Sequence, residues 1–354
     1  MGVIRELAVF LILSHLIVLS KCLRTTCRNE NGSPVDWFYL YKLPLDYSRG
    51  HFYGKNGLNY LFLSSDNFEN GWQFSVKLID EEMSFPGKTL SALSNNSLVV
   101  AYNDETQSGA TDESDGHTKG VVAVDESSGF WLIHSVPKFP NLEEPYGYPN
   151  TGTHYGQSFL CISFNSSQAD LVGKQLIFNE PNIYHSKVPE TLRGRFSNIE
   201  SAINKSWRKE SPFWNQLTIS SINGTKFQSF AKGRKFKKEL YEDFVAPALD
   251  QDLYVETWRH GPGNLQSNCS KKNKVLNVNR LKKEGIQFES TSDHSKWAVS
   301  SIDINWICVG DINRAEHQLV RGGGCVCQKN YYVAKAYQQL VAGQLFYYNK
   351  QQCI

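Results

Sequence analysis

Hydrophobic and polar residues alternate in short blocks along most of the chain, a pattern that predicts strands more often than helices. Apolar runs of strand length occur at Val35 to Leu43 (VDWFYLYKL), Leu58 to Leu63 and Leu98 to Tyr102. The polar, acidic stretch from Asp104 to Gly116 predicts a mobile loop. Tyr331 to Ala342 has apolar residues at helical spacing and predicts an amphipathic helix. Together these elements favour a mixed α/β fold.

Two segments share one layout, in which a His-x-Lys motif precedes a hydrophobic strand, a turn and a second strand. The first motif is His117-Thr118-Lys119, with its second strand at Phe130 to Ser135. The second motif is His294-Ser295-Lys296, with its second strand at Asn305 to Val309. Each segment predicts a β-hairpin. Their recurrence predicts a duplicated fold.

The first residues have the features of a routing signal. Arg5 precedes an apolar run from Leu7 to Leu19, and the small residues Ser20 and Cys22 follow it. This pattern predicts a signal peptide at residues 1–22, and a buried N-terminal helix is the alternative. No later stretch resembles a transmembrane helix, so we expect no membrane contact after the signal is removed.

Cysteines and glycosylation motifs agree with the secretory route. If Cys22 leaves with the signal, seven of the eight cysteines remain, enough for three disulfides and one odd thiol. Their wide spacing does not match a zinc site, and we expect no metal. We therefore predict a glycoprotein of the lysosome, with secretion as a second destination. Six asparagines begin N-x-S/T motifs: Asn31, Asn95, Asn165, Asn204, Asn223 and Asn268.

The formal net charge of +2 conceals an uneven distribution. Residues 101–150 contain two Lys/Arg against nine Asp/Glu, whereas residues 201–300 contain seventeen against ten. A basic half with interleaved aromatic residues fits a polyanionic partner, and a solvated face explains the charge equally well.

The His-x-Lys spacing suits phosphoryl chemistry. Side chains at i and i+2 of a strand point to the same face, so each motif presents an imidazole and an ammonium together. If two halves met about a pseudo-twofold axis, one His could attack phosphorus while the other protonated the leaving oxygen. The two lysines would neutralise the non-bridging oxygens, so no cofactor is required. A third copy, His185-Ser186-Lys187, is bracketed by prolines and is interpreted as surface.

Longer motifs extend along nearly the whole chain. They include Gly116-His-Thr-Lys-Gly120, Phe130-Trp-Leu-Ile-His-Ser-Val-Pro137, Tyr155-Gly-Gln-Ser158, Phe230-Ala-Lys232, Asp293-His-Ser-Lys-Trp297 and Val309-Gly-Asp-Ile-Asn-Arg314. In this order they resemble the deoxyribonuclease II family, and Glu256-Thr257-Trp258 favours its beta branch. The resemblance implies a duplicated phospholipase D-like fold, with halves at residues 23–180 and 181–354. It also implies metal-independent hydrolysis of double-stranded DNA in acid, with 3′-phosphate and 5′-hydroxyl products.

By position, the resemblance makes His117 and Lys119 the first catalytic pair and His294 and Lys296 the second. We favour His117 as nucleophile and His294 as general acid, although the sequence does not order them. Asn313 takes the place of a phosphate-binding Asn, and His134 with Ser135 the equivalent place in the first half. The alternatives are a turn cap for Asn313 and a buried structural role for His134.

The resemblance also implies the disulfides Cys27–Cys161, Cys269–Cys353 and Cys308–Cys327, and leaves Cys325 unassigned. Family members often carry Cys after the second Lys-Trp, where this chain has Ala298. The oligomeric state stays open. Two other functions remain as alternatives: a phospholipase D-like phosphodiesterase acting on another substrate, and a catalytically silent glycoprotein that binds nucleic acid.

Overall fold

The computed structural model describes residues 24–45, 56–109 and 114–342, with the backbone of 347–348 and 351–352. The predicted signal peptide at residues 1–22 lies outside the described residues, as do residues 110–113 of the predicted acidic loop.

The first sheet has eight antiparallel strands in the spatial order β3-β2-β1-β7-β6-β5-β4-β8. Their bounds confirm the strands predicted near residues 37, 60, 98 and 130 and the first hairpin. The strands are β1 (Trp37–Lys42), β2 (Tyr60–Ser64), β3 (Gln73–Phe74), β4 (Leu98–Asn103), β5 (Lys119–Val124), β6 (Ser128–His134), β7 (Gln157–Asn165) and β8 (Ile183–Lys187).

The second sheet has seven strands in the order β12-β11-β15-β16-β17-β10-β9, and two small hairpins lie outside it. The sheet comprises β9 (Trp214–Ser220), β10 (Lys226–Lys232), β11 (Leu253–Glu256), β12 (Val275–Asn277), β15 (Trp297–Ser300), β16 (Trp306–Gly310) and β17 (Gly323–Lys329). The hairpins pair β13 (Arg280–Lys283) with β14 (Ile286–Glu289), and β18 (Tyr347–Tyr348) with β19 (Gln351–Gln352).

The two sheets repeat one order around the His-x-Lys motifs. Strand β5, which begins with Lys119 of the first motif, is flanked by β4 and β6, and then come β7, β1 and β2. Strand β15, which follows the second, is flanked by β11 and β16, and then come β17, β10 and β9. The predicted mixed α/β fold is confirmed, and its two sheets match in order. Strand β8 pairs with β4 of the first sheet although it follows residue 180 in sequence.

Five α-helices complete the described fold: α1 (Phe85–Ser91), α2 (Ala169–Asn179), α3 (Ser197–Ile203), α4 (Ala246–Leu249) and α5 (Tyr331–Gln338). Helix α5 confirms the predicted C-terminal helix, which ends earlier than residue 342. Helices α2 and α5 pack against the second sheet, and their apolar faces join the inner face of the first sheet in one core.

Strand β1 shows how the sequence divides the interior. Trp37, Tyr39 and Tyr41 belong to the central core, whereas Phe38 and Leu40 belong to a second core on the outer face of the first sheet. This division follows from the two-residue period of a strand. Because both faces are covered, all six residues of β1 are buried. The two sheets therefore present the ends of β5 and β15 to each other from fixed positions.

Candidate active site

Both His-x-Lys motifs lie at the beginning of a central strand. Lys119 is the first residue of β5, and Lys296 immediately precedes β15. The histidines are 7% (His117) and 6% (His294) exposed, and the lysines 1% and 0%. His294 contacts the carbonyl of Ser135, which follows β6, the strand paired with β5 of the first motif, so the structure brings the two motifs to one place.

His117 of the first half is held by residues of the second half. Its backbone N–H donates to the Gly322 carbonyl (2.9 Å), and its Nδ1 is 2.8 Å from Gln318 Oε1. A Cβ at Gly322 would lie 2.1 Å from the Asn179 carbonyl oxygen, so glycine is required there. Because Oε1 accepts, Nδ1 carries the proton in a neutral ring and Nε2 is left for a ligand.

His294 of the second half is held in the same way by the first. Its backbone N–H donates to the Gly156 carbonyl (2.8 Å), and Nδ1–H donates to the Ser135 carbonyl (2.9 Å). Gln157 Oε1 is 3.3 Å from the same nitrogen. Asp293 accepts from Ser295 N (3.0 Å), so this carboxylate holds the local turn and not the imidazole. The bracing of the two histidines is crossed between the halves.

The charged groups around the two imidazoles differ. Asp104, the residue after β4, forms a hydrogen-bonded ion pair with Lys119, and its Oδ2 lies 3.4 Å from His117 Nε2. In the other motif, Lys296 Nζ donates to the carbonyl of His294 (2.6 Å) and lies 3.0 Å from its Nδ1. A carboxylate thus faces the first histidine and an ammonium faces the second.

Burial dominates the acid–base properties of the site. It holds the pKa of His117 well below its usual range; Asp104 opposes this by favouring the charged ring, and the cations Lys119, Arg321 and Lys296 lower the pKa further. Burial also lowers the pKa of His294, and Lys296 and Lys119 lower it further. The pKa of Lys296 is lowered mainly by burial. Protonated histidine therefore forms here only under more acidic conditions than in water.

Two further buried lysines fix the loops that hold the histidines. Lys232, at the end of β10, donates to the carbonyls of Gln318 (2.9 Å) and Arg321 (2.7 Å). Burial lowers its pKa to about 8. Lys42, at the equivalent end of β1, donates to the Thr153 carbonyl (2.9 Å) ahead of Gly156. Lys232 lies in one of the family motifs and Lys42 in the first predicted strand, but neither was assigned a role from the sequence. The available signal was a lysine directly after aromatic and apolar residues at the end of a strand.

The predicted substrate-binding residues separate into two groups. Asn313 follows β16, is 9% exposed, and its Oδ1 has no hydrogen-bond partner among the described residues. The ring of His134 is fully buried against Phe139 and Phe159, and Val136 N donates to its Nδ1 (3.2 Å). Ser135 is also fully buried and contributes its carbonyl to His294.

Ser135 of the first half and Asp311 of the second occupy equivalent positions in the two sheets. The residue after each motif lysine, Gly120 or Trp297, pairs with Ile133 or Val309, which lies two residues before Ser135 or Asp311. Asp311 is buried, and its Oδ1 accepts from Gly324 N (3.2 Å). Burial raises the pKa of this carboxyl to about 7, against the opposing effect of its hydrogen bonds and of nearby cations. Sequence reasoning assigned it no role.

The structure confirms the disulfides Cys27–Cys161 and Cys308–Cys327. Cys269 is also disulfide-bonded, and its predicted partner Cys353 lies outside the described residues, as does Cys22. Cys325 is a buried free thiol whose Sγ lies 3.9 Å from that of Cys327.

Five of the six predicted glycosylation asparagines are exposed. Asn268 is half-buried, and its Nδ2 donates to Glu242 Oε1 (2.6 Å). The third His-x-Lys copy lies in the edge strand β8, where Lys187 is exposed and donates to Asn95 Oδ1 (3.0 Å). Within the described residues, every helix is too short or too polar to cross a bilayer.

Comparison with known proteins identifies one family. The model of the family Deoxyribonuclease II matches residues 26–345. Human deoxyribonuclease-2-beta is 36% identical over 328 residues, covering 89% of this chain and 90% of the relative. Rat deoxyribonuclease-2-alpha is 38% identical over 328 residues (89% and 93%), and plancitoxin-1 of Acanthaster planci is 37% identical (90% and 91%).

Proposed function

The chain belongs to the deoxyribonuclease II family and is a DNA-hydrolysing nuclease, and we propose that it cleaves DNA in acid, without a metal, through its two His-x-Lys pairs. The observation that carries the proposal is the crossed bracing of His117 and His294. It engages both rings through Nδ1, so Nε2 is the nitrogen of each ring that can react with the phosphodiester, and the buried ammonium groups of Lys119 and Lys296 belong to the same motifs. We further propose that residues 23–180 and 181–354 supply one pair each, with β8 added to the first sheet.

The chemistry divides into two displacements. In the first, the Nε2 of the nucleophilic histidine forms a bond to phosphorus and the bond to the 5′-oxygen breaks. The other histidine protonates that oxygen, which leaves as the 5′-hydroxyl. In the second, water forms a bond to the phosphorus of the phosphohistidine, the bond from phosphorus to Nε2 breaks and frees the nucleophilic histidine, and water gives up its proton to the same second histidine. The product is then a 3′-phosphate, and Lys119 and Lys296 stabilise the charge on the non-bridging oxygens throughout.

The charges beside the rings favour His117 as the acid and His294 as the nucleophile, the reverse of the order that we favoured from the sequence. Asp104 stabilises a protonated His117 against the opposing charges of Lys119, Arg321 and Lys296, and it lies 3.4 Å from the ring. At His294, Lys296 and Lys119 favour the neutral ring. Because burial lowers the pKa of both rings, the protonated acid is populated only in acidic solution. We therefore propose that activity rises as the pH falls.

We propose that Asn313, Lys119 and Lys296 contact the substrate. His134 and Ser135 support the site from within the protein. Phosphate contacts of this kind carry no base sequence, so we propose largely sequence-independent binding of DNA that weakens with salt.

We propose a lysosomal destination, with secretion as a second one, reached through a signal peptide at residues 1–22. Long-range disulfides and the exposed sequon asparagines support an oxidising, glycosylating route.

Nicking of supercoiled plasmid at pH 5 and pH 7.5 in excess EDTA tests the proposal. We expect strong activity at pH 5 from the wild type and its loss in His117→Ala and in His294→Ala. His185→Ala is the matched control, because it removes the histidine of the third motif and should keep full activity. Activity that needs an added cation, or that survives His294→Ala, would overturn the mechanism.

A further inference from the structure

We propose that Tyr155, Trp258 and His260 form a stacking platform for one nucleobase of the DNA, immediately beside the phosphate bound at His294. The inference rests on the proposed function and adds to it a contact with the base itself. It implies that the enzyme holds its substrate by an unstacked nucleotide as well as by the backbone.

The platform is a continuous aromatic cluster that touches the site. The ring of Trp258 meets the ring of His294 edge-on, with centroids 4.8 Å apart and an interplanar angle of 68°. Trp258 and His260 are stacked at 5.8 Å with planes only 7° apart. Tyr155 closes the cluster at 5.7 Å from Trp258 and 6.2 Å from His260. Tyr155 comes from the first half and the other two from the second.

The cluster extends from the surface to the buried site. His260 is exposed, and Tyr155 and Trp258 are half-buried, whereas His294 is almost wholly buried. Through Trp258, which contacts both His260 and His294, the aromatic rings connect the surface with the buried imidazole. Aromatic side chains beside a phosphate site are the usual partners of unpaired bases, since every base has a π-face.

Two polar atoms at the platform have no hydrogen-bond partner among the described residues. They are the indole Nε1 of Trp258 and Oδ1 of Asn313. The backbone of Asn313 runs close to the platform, because its neighbour Arg314 donates from N to Oγ1 of Thr257 (3.3 Å), the residue before Trp258. A nucleotide offers both kinds of group that these atoms need, with acceptors on the phosphate and sugar and amino donors on the base.

The loop that carries the platform is fixed in place. Asn264 Nδ2 donates to the carbonyls of Arg259 (3.0 Å) and Gly261 (2.6 Å). The segment from Trp258 to Asn264 is thereby folded back on itself, and an isolated bridge joins Asn264 to Ala315. A preformed surface binds a flat ligand at a lower ordering cost than a flexible loop does.

Binding is tested without cleavage in the His117→Ala background, using a single-stranded tetranucleotide that contains 2-aminopurine. We expect the fluorescence of 2-aminopurine to be quenched on binding, and Trp258→Leu to remove the quenching and weaken binding about 5- to 150-fold. Trp258→Phe should restore most of both. Trp214→Leu is the matched control. Trp214, the first residue of β9, is 42% exposed and packs on Phe244, outside the cluster. Equal quenching and affinity in all four proteins would overturn the proposal.

A kinetic comparison separates stacking from mere support of His294. In the otherwise wild-type chain, Trp258→Leu should lower kcat/KM on the normal tetranucleotide but not on one whose bases are replaced by abasic residues. An equal loss on both substrates would mean that Trp258 only positions His294, and the platform would be wrong. A wild type that is inactive in EDTA but still quenches 2-aminopurine through Trp258 would overturn the proposed mechanism and leave the platform standing.

Discussion

Replacing Asp104 by Asn tests the assignment of acid and nucleophile. Its Oδ2 lies 3.4 Å from His117 Nε2, and an opposite charge within about 4–6 Å moves a pKa by roughly 1–3 units. Asp104 raises the pKa of His117 against the larger effect of burial, so its removal lowers that pKa further. The amide has nearly the same shape, and it removes the charge with little change in packing.

The assay is the rate of plasmid nicking in EDTA as a function of pH. If His117 is the acid, the limb on which activity falls with rising pH moves down by about 1–3 pH units. KM for DNA should also fall, because the carboxylate no longer competes with phosphate for Lys119. Glu105→Gln is the matched control, since Glu105 pairs with Lys138 at 3.3 Å and contacts neither histidine.

Each other outcome has a definite meaning. Movement of the acidic limb instead would make His117 the nucleophile and restore the order favoured from the sequence. A profile that matches the wild type in both limbs would refute the electrostatic reasoning altogether.

Three further predictions concern the supports of the site and the stability of the fold. Gln318→Met removes the hydrogen bond to His117 Nδ1 and should lower kcat about tenfold with little change in KM, as measured by initial rates over a range of DNA concentrations. Asp311→Asn should raise the melting temperature more at pH 7 than at pH 4. The pKa of this carboxyl is raised to about 7 in the folded protein, so it contributes stability below pH 4 that is lost as the pH rises to 7. The stability lost amounts to as much as about 4 kcal/mol. Equal shifts at both pH values in calorimetry would contradict this. Cys27→Ala with Cys161→Ala opens a loop with a sequence separation of 134 and should lower the free energy of unfolding by about 5 kcal/mol in a denaturant titration, whereas a loss below 1 kcal/mol would show that the bridge is incidental.

The sequence predicted the elements whose signal is local. The run Gly120 to Val124 is apolar and β-branched, so its strand and hairpin could be recognised directly. Helix α1 was not predicted, because its sequence FPGKTLS contains Pro86 and Gly87; Pro is nevertheless tolerated in the first turn, and Ser84 Oγ caps Gly87 N at 3.2 Å.

The site was predictable only in part for the same reason. The spacing of His117 and Lys119 is visible in three residues, but Gln318 lies 201 positions from its imidazole. No periodicity relates the two, since the contact is created when the two sheets meet. Asp104 was predicted to lie in an acidic loop and was given no role, because its effect on His117 depends on the burial of that histidine in the folded protein.

Because each half braces the histidine of the other, catalysis requires that both halves be folded and in contact. Neither half alone orients the histidine of its own His-x-Lys motif, because Gly322 and Gln318 of the second half hold His117 while Gly156 and Ser135 of the first half hold His294. A nascent chain whose second half is still unfolded thus carries all the residues of the first motif and no positioned nucleophile or acid. The proposed nuclease site is therefore complete only once the two halves have come together.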